Sequence, residues 1–517
     1  MNAIEVNLFS SRVSSICDEM GLVLRRAAFS PNIKDRLDFS CALFGPKGEL
    51  FAQADHMPVH LGSMAFAMRG IVKSVAWKEG DMLVFNDPFL GGTHLPDVTL
   101  VSPVFEGSGE KIGFVANRAH HANIGCDTPG SMPLASSLEE EGIIIPPTFL
   151  MRGAKIQPHI NPFFIAPSGE LTGDFAAQAG ANQIGVLGLR ALSRKLGRLS
   201  YIKNMKELNN FAERVSLEMI SKLSRGNYHF EDCLDEDGYG SRDIKLSVSL
   251  SVDSDMVEVD FRDSSDMIAG NLNCPDSVAA AAALYCFRCL MPDYAPVCEG
   301  LFRRIKVKTR RGSIVDATRP AAVAAGNVET SSRLVDVVFG ALAQAAPLRI
   351  AAASQGTMNN IAMGQGPSLD QSRWDYYETI AGGMGAGPNY PGLNGIHTHM
   401  TNTLNTPIES LEMHYPLRIK RYELRFGSGG EGDHKGGDGV IREYEFLKQT
   451  TVSLLTERRT SRPWGLHGGG AGLSGINLLN EKVLPAKTIT IVEKGDCITI
   501  CTPGGGGWNS CSKDAEV

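Results

Sequence analysis

Two short stretches of the sequence concentrate side chains that can bind a metal ion. The first, Asn86–Asp97, follows an apolar run, and its paired glycines let the backbone fold tightly enough to bring His94 near Asp97. The second is the adjacent pair His120 and His121, at the end of the next apolar run. Imidazole and carboxylate ligands together suit zinc, manganese or iron(II). Three protein ligands with one open position are typical of catalytic zinc.

The histidine pair is expected to supply only one ligand to such a site. Adjacent residues of a strand point to opposite faces of a sheet. One of His120 and His121 would therefore reach an ion beside His94 and Asp97, and the spacing alone does not choose between them. Histidines with a purely structural role remain the alternative.

Three further clusters contain histidine or aspartate side chains that are candidates for a functional site. Asp38, in the run Lys34–Asp38, is a fourth ligand or a base, unless the run is a solvated charge cluster. The run Asp55–His60 holds two histidines and an aspartate. His397 and His399 would share one face if they lie on a strand, as two ligands of a rival metal site could.

Several common motifs of catalysis and nucleotide binding are absent from the sequence. It contains no GxxxxGK[ST] phosphate loop, no HExxH and no GxSxG. The glycine pattern Gly427–Gly432 leads into further glycine and aspartate rather than a helix, which argues against a dinucleotide fingerprint. Glu329 and Arg333 have the spacing of an i,i+4 surface pair.

The elements that must position these residues are both helical and extended. Helical spacing marks five segments, a turn marks one hairpin, and alternating or short apolar runs mark strands. The last third is glycine-rich with short strands between the glycine clusters. We therefore predict a multidomain α+β protein, with a mixed α/β N-terminal half that carries the metal site and a glycine-rich, β-rich C-terminal part. The predicted helices are 7–28, 61–77, 174–224, 276–290 and 330–346; the hairpin is 38–54; the predicted domains are 1–227, 228–345 and 346–517.

Composition excludes some classes of function. The chain has 517 residues and a formal net charge of -7, without a long basic cluster, so charge gives no support for nucleic-acid or membrane-surface binding. No apolar run approaches the roughly 20 residues of a membrane span. We find no secretory signal, and 11 scattered cysteines fit a reducing compartment, so we expect a cytoplasmic protein.

Taken together, the motifs resemble those of the hydantoinase B/oxoprolinase family. They occur in the same order along nearly the whole chain, which makes the resemblance more specific than one motif would. One position departs from the pattern of many relatives, because Asn123 stands where they have aspartate. The matching segments are Asp35–Ser40, Pro58–Met64, Asn86–Thr99, Ala116–His121, Gly326–Ser331, Asn402–Glu409, Gly436–Gly439 and Thr502–Gly507.

The resemblance implies a role for each candidate residue. It implies a divalent metal, zinc or manganese or else iron, held by His94, Asp97 and one of the paired histidines, taken as His120. It places Asp38 nearby, and Asp38 or the other histidine, His121, would move protons as catalytic groups.

The resemblance also implies a partner and three readings of function. Family members are B-type subunits of ATP-dependent hydantoinases (N-methylhydantoinase type), 5-oxoprolinases, caprolactamase and ketone carboxylases. The A-type partner has an actin-like ATPase fold, binds Mg-ATP and phosphorylates the small-molecule substrate, in a hetero-tetramer or larger assembly. We expect a cyclic amide hydrolase subunit. A ketone carboxylase subunit, in which an enolate attacks activated bicarbonate, and a non-catalytic scaffold for the ATPase are the alternatives.

Overall fold

The computed structural model describes residues 3–54, 56–107, 109–157, 164–165, 169–365 and 374–510. Helices and four separate β-sheets alternate along these residues, which confirms the prediction of a multidomain α+β fold. No helix in these ranges is long and apolar enough to cross a membrane. Two features of the sequence, Asp55 and the tail after Ser510, lie outside the described residues. The predicted domain limits stay a prediction.

A seven-stranded antiparallel sheet forms the N-terminal part, in the order β2-β1-β5-β4-β3-β6-β7. Its central strands are buried along nearly their whole length, as expected for apolar runs covered on both faces. The strands are β1 (Phe39–Phe44), β2 (Leu50–Gln53), β3 (Met82–Phe85), β4 (Asp97–Phe105), β5 (Lys111–His120), β6 (Thr148–Arg152) and β7 (Lys155–Ile156).

Helices cover both faces of this sheet. One core joins β1 and β5 to three long helices, and another packs a single helix against the opposite face. The segment predicted as one helix over 174–224 is two helices, because Gly197 adopts a φ of 77° between them. The helices are α1 (Ala3–Ala27), α2 (Pro31–Lys34), α3 (His60–Ser74), α4 (Gly173–Leu196) and α5 (Arg198–Ile220).

The middle of the chain forms a four-stranded sheet, in the order β11-β10-β9-β8, with two helices packed in the same core. A short π-helical turn, Gly326–Thr330, leads into the second helix. A Cβ at Gly326 would lie 1.9 Å from the carbonyl oxygen of Asn273, so only glycine fits there. The elements are β8 (Gly226–Glu236), β9 (Arg242–Val252), β10 (Val257–Asp260), α6 (Asp276–Cys289), β11 (Ile305–Lys308) and α7 (Ser331–Ala345).

Two sheets share a core in the C-terminal part, in the orders β13-β12-β16-β19 and β14-β15-β20-β17-β18. The first contains β12 (Asn360–Gln365), β13 (Trp374–Glu378), β16 (Thr450–Leu455) and β19 (Lys487–Val492). The second contains β14 (Leu417–Arg425), β15 (Gly439–Phe446), β17 (Ile476–Leu479), β18 (Lys482–Leu484) and β20 (Cys497–Cys501), and α8 (Ile408–His414) precedes it.

The glycine clusters pack against one another rather than forming loose turns. The amide of Gly437 donates to the carbonyl of Met384, and the amide of Gly505 donates to the carbonyl of Gly437. A Cβ at Gly505 would lie 2.0 Å from the Met384 oxygen, and one at Gly383 would lie 2.0 Å from the Gly437 oxygen. Backbone therefore contacts backbone here, which explains why this region uses so much glycine.

Candidate metal centre

The loop between β3 and β4 is held by Asn86, at its start. The Asn86 side chain donates to the carbonyls of Leu95 and Ile143 and accepts from the amide of Ile145. A Cβ at Gly92 would lie 2.3 Å from the Asn86 carbonyl oxygen, so the loop needs glycine to pass this close to its own beginning. These contacts set the path of the chain through His94 to Asp97.

Strand pairing then brings the second candidate segment to the same place. Asp97 is the first residue of β4 and His120 is the last residue of β5, and the two are direct partners across the antiparallel ladder. Asp38 immediately precedes β1, the strand on the other side of β5. The carbonyl of Asp38 accepts the amide hydrogen of His120. Ends of three neighbouring strands therefore meet at one point.

The side chains of His94, Asp97 and His120 converge on a single carboxylate oxygen. Asp97 Oδ1 lies 3.1 Å from His94 Nε2 and 3.4 Å from His120 Nδ1. Asp38 Oδ2 lies 4.0 Å from the same His120 nitrogen. All four side chains are buried. The structure thus brings together the three residues predicted as ligands, with Asp38 beside them.

These residues fit a divalent metal ion. Ligand atoms of a tetrahedral zinc site with bonds near 2.0–2.1 Å are roughly 3.4 Å apart, close to the spacings seen here. His94 Nε2 is buried and makes no hydrogen bond, although Asp97 Oδ1 is only 3.1 Å away. An ion bound between the two atoms would give this nitrogen a partner. One carboxylate among imidazoles leaves a negative charge that a cation would balance.

Three other side chains hold the second oxygen of Asp97. Thr93 Oγ1 donates to Oδ2 at 2.5 Å, Asn327 Nδ2 donates at 3.3 Å, and His60 Nε2 lies at 3.3 Å. Burial alone would raise the pKa of Asp97, but the imidazoles of His94 and His60 hold it well below its ordinary value. Asp97 is therefore ionised and fixed in orientation, as a ligand should be.

His120 is held by an aromatic ring from the C-terminal part of the chain. The ring of Tyr377, on β13, stacks on His120 with centroids 5.0 Å apart. Tyr377 Oη donates to Asn360 Oδ1, and Asn360 Nδ2 donates to Glu329 Oε1 at 2.6 Å. Burial lowers the pKa of His120, which favours the neutral imidazole that a metal needs.

The sequence did not reveal these supporting roles. Asn327 and Glu329 lie in one short segment of the chain, and no local spacing links it to Asp97. The prediction that Glu329 and Arg333 form a surface pair is wrong, because both are completely buried. Glu329 instead accepts from the amide of Met358, and burial raises its pKa to about 7. Arg333 Nη2 lies 3.3 Å from Glu457 Oε2.

His121 faces a different part of the molecule. Its Nε2 lies 2.9 Å from Gln178 Oε1, and its ring packs against Phe175, both on α4. His121 does not line the cavity beside the cluster. Asn123, the position that departs from the pattern of many relatives, donates to Asp375 Oδ2 at 3.3 Å and contacts none of the three candidate ligands.

The rival pair, His397 and His399, lies in a separate pocket and not on a strand. This pocket has a volume of about 310 Å³, with Tyr285, Phe339 and Tyr390 among its lining residues. His399 Nε2 lies 3.9 Å from Asp336 Oδ1. Burial lowers the pKa of each histidine to about 4.

Asp336 belongs to a buried network of ion pairs. Arg458 Nη2 lies 2.9 Å from Asp336 Oδ2 and 2.7 Å from Asp232 Oδ2. Glu457 pairs with Lys487 Nζ at 2.6 Å. Each of these carboxylates thus has a permanent cation beside it. The network joins β8, α7 and the segment after β16.

The cavity beside the candidate ligands is nearly closed. Its volume is about 10 Å³, and its walls come from all three parts of the chain. A space of this size holds about one water molecule. The predicted N-terminal metal site is therefore completed by residues far along the sequence, among them Asn327, Tyr377, Thr401 and Thr403.

Comparison with known proteins matches the chain to one family model and to several relatives. The family model described as hydantoinase B/oxoprolinase matches residues 2–510. The chain is 38% identical to "5-oxoprolinase 1" of Arabidopsis thaliana, over 98% of this chain and 42% of that protein. It is 29% identical to the putative B-type subunit of a D-/L-hydantoinase of Pseudomonas sp., over 99% of this chain and 90% of that protein.

Two solved structures share the fold. An ATP-dependent caprolactamase from Pseudomonas jessenii superposes with a TM-score of 0.89 and 24% identity, over 99% of this chain and 91% of that chain. A nucleotide-free acetone carboxylase superposes with a TM-score of 0.85 and 16% identity, over 98% of this chain and 76% of that chain. The chain spans about two-fifths of the length of the 5-oxoprolinase that it matches.

Proposed function

The chain belongs to the hydantoinase B/oxoprolinase family, and from this premise we propose that it is the metal-dependent part of an ATP-dependent enzyme that opens cyclic amides. The enzyme would be a hydrolase that breaks the amide C–N bond after ATP has activated the substrate. The protein would work in the cytoplasm.

One observation carries the proposal. A single oxygen of Asp97 faces one nitrogen of His94 and one of His120, in a buried cluster with no arginine or lysine paired to that carboxylate among the described residues. His94, Asp97 and His120 would hold zinc or manganese, or else iron. When bound, such an ion would supply a Lewis acid at this point.

Asp38 is the proton carrier in this proposal. Its Oδ2 lies 4.0 Å from His120 Nδ1, and its side chain lines the cavity beside the cluster. Once the amide oxygen carries a phosphoryl group from ATP, water adds to the amide carbon and gives its proton to Asp38. The C–N bond then breaks, the nitrogen leaves with a proton as an amine, and hydrolysis of the resulting acyl phosphate releases phosphate and the carboxylate.

The ATP-dependent step is assigned to a partner. The chain aligns with only 42% of a relative named 5-oxoprolinase but with 90% of the relative named as a putative hydantoinase B-type subunit. The sequence also contains no phosphate-binding loop. We propose an A-type subunit with an actin-like ATPase fold that binds Mg-ATP, in a hetero-tetramer or larger complex.

Reconstitution tests the proposal. The chain, purified with its A-type partner, is incubated with ATP and hydantoins, 5-oxoproline, lactams or ketones with bicarbonate, and products are identified by mass spectrometry. Wild-type complex is compared with metal-depleted complex, with the variant Asp97→Asn, and with His229→Ala as a control, since His229 is exposed on β8.

We expect a ring-opened product that requires ATP, both chains and the metal, with His229→Ala fully active. Ring opening by this chain alone would contradict the two-subunit scheme. A carboxylated ketone would replace amide opening with the carboxylase alternative. If the metal-depleted complex with Asp97→Asn were fully active, the cluster would not be catalytic. This chain would then act only as a scaffold for the ATPase.

A further inference from the structure

A buried carboxylate in the segment between β5 and β6 is not used by the proposed chemistry. Glu141 is completely buried, whereas its neighbours Glu139 and Glu140 in the same run are exposed. Glu141 Oε1 accepts from two successive backbone amides, those of Val323 and Ala324, at 2.8 Å each. The carboxylate thus binds a short stretch of backbone that precedes the π-helical turn.

The backbone that Glu141 holds presents a carbonyl to a candidate metal ligand. The Ala324 carbonyl oxygen lies 3.3 Å from His94 Nδ1. A carbonyl oxygen only accepts, so this hydrogen bond requires the imidazole proton on Nδ1. The lone pair is then on Nε2, the nitrogen that lies 3.1 Å from Asp97 Oδ1.

We infer that Glu141 is a positioning residue that fixes the tautomer and orientation of His94 through the backbone of Val323 and Ala324. The inference rests on the proposed function only in taking His94 as a metal ligand. Without the carboxylate, the two amides would lose their acceptor and the Ala324 carbonyl would lose its fixed direction. His94 would then sample the other tautomer, in which Nε2 carries the proton and cannot bind a metal.

The segment that follows Glu141 also contacts the loop that carries His94. Ile145, four residues after Glu141, donates its amide to Asn86 Oδ1, and Asn86 Nδ2 donates to the Leu95 carbonyl. This segment therefore contacts both Asn86, which holds the loop of His94, and the backbone that faces the His94 ring.

Metal affinity of the full-length chain tests the inference. Metal-free wild type, Glu141→Ala, Glu141→Gln and the matched control Glu139→Gln are titrated with Zn²⁺ in competition with a chromophoric chelator. Glu141→Ala should lower the affinity about 10–100-fold, the usual effect of removing a group that orients a ligand. Glu141→Gln keeps a neutral oxygen acceptor and should lose only about threefold to tenfold. Glu139→Gln should match wild type.

A second measurement separates positioning from a merely structural role. Metal-free chains labelled with ¹⁵N-histidine report the tautomer of each imidazole by long-range proton–nitrogen correlation. We expect His94 to be protonated on Nδ1 in wild type and to become a mixture in the Glu141 variants. If Glu141→Ala does not fold, the comparison of Glu141→Gln with Glu139→Gln decides.

Unchanged zinc affinity and an unchanged His94 tautomer in the folded Glu141 variants would overturn the inference. The tautomer measurement needs no metal, so it stays informative if wild type binds no Zn²⁺. In that case the proposed function fails, while a shifted His94 tautomer in Glu141→Gln would still support the role of Glu141.

Discussion

Two groups of buried histidines and carboxylates in this molecule have opposite electrostatic surroundings. Around Asp97 the side chains that form ion pairs are histidines: His94 and His120 face Oδ1, and His60 faces Oδ2. Around Asp336 the partner is an arginine, and His399 stands 3.9 Å from the oxygen that remains. In the sequence, the histidines of both groups suggest a metal site.

The difference distinguishes a candidate metal site from a charged core. Around Asp97 no arginine or lysine is paired with the carboxylate among the described residues, so a bound ion would be its permanent counter-charge. A carboxylate beside Arg458 already has its counter-charge, and its neighbouring histidine is simply desolvated. The convergence of His94 and His120 on one oxygen, without a directly paired arginine or lysine among the described residues, distinguishes the first group from the second.

The largest loss of zinc binding is expected when the charge of Asp97 is removed. Asp97→Asn keeps the size of the side chain but should abolish measurable zinc binding, a larger loss than the roughly 10–100-fold caused by an orienting residue. His399→Ala, from the other group, should bind zinc like wild type. Competition titration measures both, and equal losses in the two variants would erase the distinction.

The charged core should respond in stability rather than in metal binding. Arg458→Met leaves the half-buried Asp232 and the buried Asp336 with only the longer contacts to Arg333, which should cost about 3 kcal/mol in the free energy of unfolding. Lys222→Met, which breaks an exposed pair with Glu218, should leave the free energy of unfolding nearly unchanged. Urea unfolding checks both values, with zinc bound per folded molecule as the second readout. A loss of zinc in folded Arg458→Met would contradict the separation.

The stability of the protein should depend on pH through His399. Burial lowers its pKa from 6.5 to about 4, so between these values the unfolded chain binds the extra proton. The contribution to stability is therefore present above pH 6.5 and is lost as the pH falls towards 4, by about 2 kcal/mol between pH 7 and pH 5. His399→Asn should remove this part of the pH dependence. Urea midpoints at the two pH values test it, and parallel curves would refute it.

His121 tests whether proximity in sequence means proximity in function. His121→Asn loses the contact with Gln178 and should cost about 1–2 kcal/mol in stability. It should keep wild-type zinc affinity, unlike His120→Asn. Zinc titration and turnover of the reconstituted complex check this. A folded, zinc-loaded and inactive His121→Asn would instead support the prediction that His121 is a catalytic group.

The smallest effect is expected at Asn123. Asn123→Asp recreates the aspartate of many relatives but places a second carboxylate beside Asp375 Oδ2. We expect a loss of about 0.5 kcal/mol in stability, typical of exposed or half-buried charges. Zinc affinity should stay within about twofold, because the side chain contacts no candidate ligand. A marked gain in affinity would show that position 123 acts on the cluster after all.

Local patterns predicted what lies close in the chain or across paired strands. The loop after β3 and the end of β5 were expected to meet, and the strand register of Asp97 and His120 brings them together. Contacts between distant segments were not predictable, since no spacing connects Tyr377 or Asn327 with Asp97. The prediction that His397 and His399 share one face of a strand was also wrong. The chain turns there instead of extending, with a φ of 60° at His399.

The nearly closed cavity beside His120 and Asp97 has a consequence for exchange kinetics. With room for about one water molecule, neither a chelator nor a cyclic amide can reach the cluster until Tyr377, Thr401 or their neighbours move. Loss of a bound ion should therefore follow the rate of that opening and become independent of chelator concentration once chelator is in excess. The residence time of the ion would then measure how often the site opens.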